Sequence, residues 1–248
     1  MKKLIISSLL ALLSLSLACA TPTTSHADSL ARDGKFPEAT DAYEAILASG
    51  NESADLYYNL GYSYFKQGML AKAIINFERS RRLNPSDPDV IENLSQAYAL
   101  TDKLQVLEPM LITRLWNAFR DSLSSNGWAV AFVILFALTL TGIGLFLFMD
   151  SVALRKTGFF SATILALLAI VALSISLNKR SEILNSDDAI IMVSSATLAT
   201  SPDKNATEMA VLHEGTPVHI IDYLGDWAEV RLKDGNVGWL LLSNIEKI

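Results

Sequence analysis

The sequence predicts a multidomain protein in which an all-α repeat segment and an all-β domain flank a hairpin of two transmembrane helices. Three observations lead to this prediction. Two long apolar runs without a charged residue lie in the middle of the chain, at 128–149 and 158–177. A helical pattern that repeats at a fixed period comes before them, and a strand-like pattern of apolar and polar residues comes after them.

The two apolar runs are long enough to cross a bilayer. At about 1.5 Å rise per residue, roughly 20 residues span a hydrocarbon core about 30 Å thick. Two buried helices of a soluble protein are the alternative, but buried helices of that length normally carry a polar edge. The polar link 150–157 is too short to hold a domain. The sequence therefore predicts a hairpin that places both flanking segments on the same side of the membrane.

Charge is distributed unevenly along the 248 residues, which sum to a formal net charge of −6. Segment 28–103 has 12 acidic and 8 basic residues, and segment 181–248 has 11 and 4. Segment 104–180 reverses this balance, with 3 acidic and 6 basic residues, and basic residues beside apolar runs suit lipid headgroups. The distribution has no clustered basic face of the kind that nucleic-acid binding needs.

Residues 1–27 have the pattern of a secretory signal peptide, with a basic start and a short apolar run, Leu4–Leu17. Cleavage after Ala20 and cleavage after Ala27 both place small residues at the required positions, and the polar residues before Ala27 favour the second. Lipidation at Cys19 is a third alternative, although Ser16 stands where a lipoprotein site normally has Leu. Basic residues follow both apolar runs, so the positive-inside rule does not decide the orientation. Export of the leader would place both flanking domains outside the cytoplasm.

The helical segment 28–103 repeats. Its central unit, 54–87, has the spacing of a tetratricopeptide repeat, marked by Tyr57, Leu60, Gly61, Tyr64, Gly68, Ala73, Phe77 and Pro85. Matching residues occur one period earlier (Gly34, Ala39, Tyr43) and one period later (Ile91, Leu94, Tyr98). Small residues are expected where two helices cross closely, and Pro85 ends a helix because proline cannot continue it. Most of these residues are predicted to form the core.

Six residues on the first helices of the repeats are candidates for binding a protein partner, because they are expected on the concave side. They are Asp55, Tyr58, Tyr62, Phe65, Glu92 and Gln96. The aromatic members could stack on a partner segment. The alternative is that they pack against a neighbouring helix.

Residues 109–125 predict an amphipathic helix just before the first apolar run. Pro109 suits a first helical turn, and apolar residues then recur at helical spacing. Trp116 and Arg120 near a membrane span favour a helix that lies in the membrane interface. A cap on the last repeat is the alternative.

The pattern of residues 186–248 is typical of short strands joined by turns. Asp234-Gly235 predicts a two-residue hairpin turn, and this register places Val230 opposite Trp239. Trp239 would then face the core with Ala228, Val230 and Leu232, and Trp227 would face the other side. Trp227 and Tyr223 are therefore candidate recognition aromatics, with packing at the sheet edge as the alternative.

The turn residues of this domain are similar to those of a bacterial SH3-like barrel. They are Gly215, Val218, Asp226-Trp227, Asp234-Gly235 and Gly238-Trp239, within about 60 residues of all-β pattern. The predicted fold is thus an all-α tetratricopeptide helical repeat, a two-helix transmembrane hairpin and an all-β SH3-like barrel.

The order of these parts resembles the BatE proteins of the bacterial aerotolerance (Bat) operon. The residues that carry the resemblance are 57–61, 78–85, 212–215, 225–227 and 238–239. The resemblance implies a component of a stress-tolerance complex in the bacterial inner membrane, with both domains in the periplasm. It implies von Willebrand A-domain membrane proteins and a MoxR-type ATPase as partners. The first repeat departs from the pattern, because its first helix lacks clear marker residues.

No residue pattern indicates an enzyme. His213 and His219 have no cysteine beside them, so a metal site is not expected, and neither a phosphate-binding loop nor a nucleophile elbow occurs. We expect a scaffold without cofactors that binds protein partners through its two water-facing domains. A cell-wall sensor or anchor, whose SH3-like domain binds peptidoglycan peptides, is the alternative.

Overall fold

The computed structural model of the protein describes residues 24–101 and 110–248. Most of the predicted signal peptide, Cys19 and Pro109 lie outside these residues. The helices are α1 (Ser25–Arg32), α2 (Phe36–Ala48), α3 (Ala54–Lys66), α4 (Leu70–Leu83), α5 (Pro88–Tyr98), α6 (Leu111–Arg120), α7 (Ser125–Phe148) and α8 (Val152–Leu184). The strands are β1 (Asp188–Ile191), β2 (Ser195–Ala199), β3 (Glu208–His213), β4 (Pro217–Leu224), β5 (Trp227–Arg231), β6 (Val237–Leu241) and β7 (Ile245–Lys247).

Helices α1 to α5 carry the repeat that the sequence predicts. Ser53 and Asp87 each cap the helix that follows, because their side-chain oxygens accept backbone N–H bonds from its first turn. Gly34 and Gly68 both have a φ of 76°, which favours glycine. Buried positions recur at the same spacing: Ala39 and Ala73, Leu56 and Val90, Leu60 and Leu94. These features confirm the predicted tetratricopeptide-like region.

Gly61 lies where α3 and α4 approach most closely. A Cβ added to Gly61 would lie 2.9 Å from Phe77 Cδ1 and 3.2 Å from the carbonyl oxygen of Ala73. Phe77 and Ala73 are fully buried, so neither can move away without disturbing the core. The packing therefore requires glycine at this position, in agreement with the prediction.

A tyrosine-to-glutamate hydrogen bond also repeats. Tyr64 donates from its hydroxyl to Glu44, and one repeat further along Tyr98 donates to Glu78 at 2.7 Å. Burial, together with the neighbouring carboxylate, raises the pKa of both tyrosines. Both hydroxyls therefore stay protonated and remain hydrogen-bond donors at neutral pH.

Helices α7 and α8 are long and apolar enough to cross a membrane. Their most apolar windows have mean hydropathies of 2.6 and 2.4, and only 11% and 28% of those windows is buried. A core helix of a soluble protein would be mostly covered by other elements. The two helices therefore agree with the predicted spans, 128–149 and 158–177.

The two long helices pack closely at both ends of the hairpin. A Cβ added to Gly158 would lie 2.7 Å from the carbonyl oxygen of Gly142. At the other end, Ser125 and Ser176 each donate a hydroxyl hydrogen bond of 3.0 Å to the other's carbonyl oxygen. Small residues and interhelical hydrogen bonds of this kind hold helices together in lipid.

The link between the two long helices is shorter than predicted. Only residues 149–151 lie between α7 and α8, so Arg155 and Lys156 belong to the first turns of α8. Helix α8 also extends beyond the predicted span, to Leu184, because residues 178–184 include good helix formers and no proline. Three residues, 185–187, then separate it from β1.

Helix α6 has an apolar face that is largely uncovered. Leu111, Leu115, Trp116 and Phe119 are 50–72% exposed. The ring of Phe119 lies 5.1 Å from that of Trp128, so α6 ends beside the start of α7. The apolar face is thus next to the membrane-length helices, where an interfacial helix is expected.

The seven strands form one antiparallel sheet in the order β3-β2-β6-β5-β4-β1-β7. The sheet is not closed, because β3 and β7 remain edge strands, so the predicted barrel is not established. Its core consists of Ala189, Ile191, Ala196, Leu198, Leu212, Val218, Ile220, Ala228, Val230, Leu232 and Leu240.

The predicted register of the β5–β6 hairpin is wrong by one residue. Val230 pairs with Gly238, and Trp239 pairs with Glu229. The backbone N–H of Leu232 donates to the carbonyl oxygen of Asn236, and the N–H of Gly235, at a φ of 92°, donates to that of Leu232. This is a three-residue loop with glycine in the left-handed conformation, a common hairpin type, in place of the expected two-residue turn.

Candidate protein-binding surfaces

The first helices of the repeats, α1, α3 and α5, lie side by side, and we call their exposed residues the helix-A surface. Asn59 Nδ2 donates to Asp28 Oδ1 at 3.2 Å, which links α3 to α1. One repeat later, Asn93 Nδ2 donates to Tyr58 Oη at 3.2 Å, which links α5 to α3. Equivalent amides therefore align the three helices along one surface.

Tyr58 and Tyr62 form the aromatic part of the helix-A surface. Their rings stack with centroids 6.3 Å apart, and Phe36 at the start of α2 meets Tyr62 edge-on at 6.4 Å. All three side chains are partly exposed. Tyr58 also lies 5.9 Å from the buried ring of Phe77, so it connects the surface to the core. The position of Phe36 was not predictable from the repeat pattern, because it precedes a proline and lies outside the first helices of the repeats.

The other four candidate residues for partner binding differ in their exposure to solvent. Phe65 packs 6.5 Å from Phe77 and is partly buried, in line with the alternative that it packs against a neighbouring helix. Asp55, Glu92 and Gln96 are exposed, and Gln96 Nε2 donates to Glu92 Oε1 at 3.2 Å. The helix-A surface therefore combines a tyrosine pair with flanking acidic groups.

Charge around the tyrosine pair suits a cationic ligand. Burial raises the pKa of Tyr58, and the negative charges of Asp89 and Asp87 raise it further. Lys66 Nζ lies 4.9 Å from the ring centroid of Tyr62, so this ring already accepts one cation. A lysine or arginine side chain from a partner would find both an aromatic face and carboxylates here.

The sheet domain covers the second helix of the central repeat, α4. Ile190 of β1 is fully buried and belongs to the same apolar cluster as Ile74 of α4. Gly215 has a φ of 81°, and a Cβ there would lie 2.8 Å from Ile74 Cδ1 and 2.8 Å from Thr101 Cγ2. The helical repeats and the sheet therefore share a packed apolar contact.

Two arginines of α4 surround that contact with hydrogen bonds. Arg82 donates to the carbonyl oxygen of Ile248 at 2.6 Å and to Asp188 Oδ2 at 3.2 Å. Arg79 donates to Glu246 Oε1 at 2.9 Å. Burial lowers the pKa of Arg82, while the charge of Asp188 opposes that effect. We call this contact of α4 with β1 and β7 the domain interface; it leaves the helix-A surface uncovered by the sheet domain.

The outer face of the sheet carries a second set of aromatics. Trp227 and Trp239 lie on the same face of neighbouring strands, since Trp239 pairs with Glu229, and both are partly exposed. Tyr223 is 45% exposed, but it pairs with Ala228, whose side chain is in the core. A β-bulge between Ile220 and Asp222 changes the alternation in β4. The structure therefore brings Trp227 together with Trp239 and not with Tyr223.

A polar cluster joins α6 to the end of α8. Lys179 Nζ donates to Asp121 Oδ1 at 2.8 Å, and Arg120 donates to Glu182 Oε1 at 2.9 Å. Asp121 is partly buried, which works against its ionisation, but hydrogen bonds from Lys179 and Arg120 hold its pKa below the usual value. Trp128 Nε1 donates to the carbonyl oxygen of Arg120 at 2.9 Å. The short helix is thereby tied to both long helices.

The histidines lie apart from any metal-binding arrangement in the described part of the chain. His219 Nδ1 lies 2.9 Å from Asp188 Oδ1, and His213 is at the end of β3. No group of three or more His, Cys, Asp and Glu side chains that could hold a metal ion occurs among residues 24–101 and 110–248.

Comparison with known families gives a match for the helical part of the chain. A family model for the tetratricopeptide repeat matches residues 24–88, which is about a quarter of the chain. No curated protein sequence matches the chain. The match supports a repeat that mediates protein–protein interaction, and it starts three residues before the favoured cleavage position, Ala27.

Proposed function

We propose that this protein is a membrane-anchored, non-enzymatic scaffold that binds a protein segment on its helix-A surface. The observation that carries this proposal is the stacked pair Tyr58 and Tyr62, which stays partly exposed while the sheet domain covers α4. Partly exposed aromatic anchors beside polar groups are typical centres of binding energy in interfaces. The tetratricopeptide match supports a protein partner.

The partner segment is expected to carry lysine or arginine side chains. Asp55, Asp89 and Glu92 are exposed acids on α3 and α5, and Lys66 already lies over the ring of Tyr62. Cation–π contacts and carboxylates both favour a basic ligand.

The proposed location of the chain is the bacterial inner membrane, with both domains in the periplasm. The leader supports export, and α7 and α8 have the length and hydropathy of spans. The domain interface adds independent support for the hairpin, because Arg82 and Asp188 can meet only when both domains lie on one side.

By resemblance, the complex is the aerotolerance (Bat) system, with von Willebrand A-domain proteins and a MoxR-type ATPase as its other members. The sheet domain is proposed to be SH3-like, with an open edge at β3. Trp227 and Trp239 on its outer face support the alternative function, in which the sheet domain binds peptidoglycan peptides.

The test is crosslinking in cells followed by affinity purification of the full-length protein from membranes. Asp55→Lys/Glu92→Lys reverses two exposed charges on the helix-A surface, and Glu38→Lys/Asp41→Lys makes the same change on α2. We expect the first variant to lose its crosslinked partners and the second to keep them. Tyr62→Ala should weaken recovery by about tenfold or more.

Recovery of the same partners with all three variants would refute the helix-A surface as the binding site. Binding of the wild-type protein to purified cell wall, abolished by Trp227→Ala, would instead favour the peptidoglycan alternative.

A further inference from the structure

A cavity of about 460 Å³ lies where the hairpin turns. It is lined by Phe146, Val152, Arg155, Lys156, Phe159 and Phe160. The lining is mostly apolar, and among the described residues its charged groups are the two adjacent cations, Arg155 and Lys156. All of these lining residues belong to the hairpin.

Three phenylalanines form the apolar wall of this cavity. The ring of Phe159 lies 5.7 Å from Phe146 across the hairpin and 5.5 Å from Phe160 beside it. Phe159 and Phe160 are 51% and 63% exposed, so the wall faces outward from the helix pair. In a bilayer this wall would face acyl chains.

Arg155 is held at the polar rim of the cavity. Its Nε donates to the carbonyl oxygen of Phe146 at 3.3 Å, and its guanidinium carbon lies 5.6 Å from the Phe146 ring centroid. These contacts direct the side chain toward α7 and leave its two terminal nitrogens without a hydrogen bond to any described residue.

Lys156 supplies a second cation at the same rim. Its amino group makes no ion pair within the described chain, and the nearest acid in sequence, Asp150, is exposed and makes none with Arg155 or Lys156. The rim therefore offers unneutralised positive charge directly above an apolar wall.

We propose that this cavity binds an anionic phospholipid of the surrounding bilayer. The phosphate would accept hydrogen bonds from Arg155 and Lys156, and an acyl chain would lie along Phe159 and Phe160. A free phosphate ion would gain nothing from the phenylalanines, and a zwitterionic lipid would cancel part of the charge attraction. This inference depends on the proposed membrane hairpin.

The test measures binding of phosphatidylglycerol and phosphatidylcholine to the purified full-length protein in detergent by native mass spectrometry. We expect phosphatidylglycerol to bind more tightly, and Arg155→Gln/Lys156→Gln to weaken its binding by about tenfold or more. Lys35→Gln/Lys204→Gln removes two exposed cations from the water-facing domains and should leave the affinity within about twofold of the wild-type value.

A second variant tests the apolar wall. Phe160→Ala should lower the affinity for phosphatidylglycerol by several fold, whereas Phe136→Ala, which removes an exposed ring from the middle of α7, should not. Displacement of the lipid by an equal concentration of glycerol phosphate would overturn the proposal, because it would show that the headgroup alone binds. Equal losses in the two double variants would also overturn it.

A separate experiment tests whether α7 and α8 span the membrane. If they do not, an alkaline carbonate wash would release the protein from membranes. Retention after the wash, together with unchanged lipid binding in Arg155→Gln/Lys156→Gln, would refute the lipid site and leave the hairpin intact.

Discussion

Gly238 and Trp239 lie on opposite faces of β6, and only position 239 has room for a large side chain. A Cβ added to Gly238 would lie 2.7 Å from Leu198 Cγ and 2.9 Å from the carbonyl oxygen of Ala199. No larger side chain fits at position 238, between Val230 and Leu198, whereas Leu240 on the same face is accommodated in the core. The observed register therefore places the glycine at this close approach and the indole of Trp239 on the outer face.

This placement predicts an order of stabilities for two neighbouring substitutions. Leu240 is fully buried, and Leu240→Ala should cost about 2–5 kcal/mol of unfolding free energy. Trp239→Ala removes a partly exposed side chain and should cost about 1–2 kcal/mol. Denaturant unfolding followed by circular dichroism of the sheet signal measures both. A larger loss for Trp239→Ala than for Leu240→Ala would contradict the register.

Individual residues also show why the sequence predicted some positions and not others. Gly61 was predictable because the period of the repeat places it at a defined helix crossing. Trp239 was not, because Asp234-Gly235 suits both a two-residue turn and the three-residue loop that the chain adopts. The bulge at Ile221 was not predictable either, since nothing in the sequence of β4 marks it.

Among the helices and strands, the contact of α4 with the sheet domain could not be predicted from the sequence. Arg82 looks like any solvated arginine of a surface helix, and its contact with Asp188 joins residues 106 positions apart. The long apolar helices, in contrast, were predictable, because uncharged runs of that length have few other structures. Pairing between distant elements depends on surface shape, which a single sequence does not display.

The domain interface gives a prediction at this scale. Arg82→Ala removes the hydrogen bonds to Ile248 and Asp188, and we expect faster amide hydrogen exchange in β1 and β7 while β2 and β3 are unchanged. Lys72→Ala removes an exposed cation of the same helix that makes no hydrogen bond to any described residue of the sheet. The backbone amides of this control variant should exchange at the wild-type rates. Identical exchange in Arg82→Ala would mean that the arginine does not hold the domains together.

Helix α1 bears on the position of signal-peptide cleavage. Residues 25–27 form its first turn, Ala27 is 1% exposed in the core, and Asp28 accepts hydrogen bonds from Tyr43 and Thr24. Cleavage after Ala27 would remove that turn and expose apolar surface. We therefore expect the mature protein to begin at Thr21, and mass spectrometry of the purified chain measures its first residue. A chain that begins at Asp28 would contradict this, and a lipid-modified Cys19 would show the lipoprotein alternative instead.

Two sets of contacts hold the whole molecule together. The domain interface joins the repeats to the sheet, and the cluster around Asp121 and Lys179 joins α6 to the end of α8. Helix α8 stops only three residues before β1, so the sheet domain cannot move far from the hairpin. A partner bound on the helix-A surface would therefore be kept close to the membrane.

Reporter fusions test the membrane topology of both domains and of the hairpin turn in one experiment. Alkaline phosphatase is active only outside the cytoplasm, so fusions after Lys103 and after Ile248 should be active and a fusion after Ala153 inactive. A cytoplasmic reporter such as green fluorescent protein at the same three positions should give the opposite pattern. Phosphatase activity at only one of the two outer positions would refute both the hairpin and the domain interface, because Arg82 and Asp188 could not then meet. Activity at Ala153 alone would keep the hairpin and the interface but place both domains in the cytoplasm, which would overturn the orientation that the leader predicts.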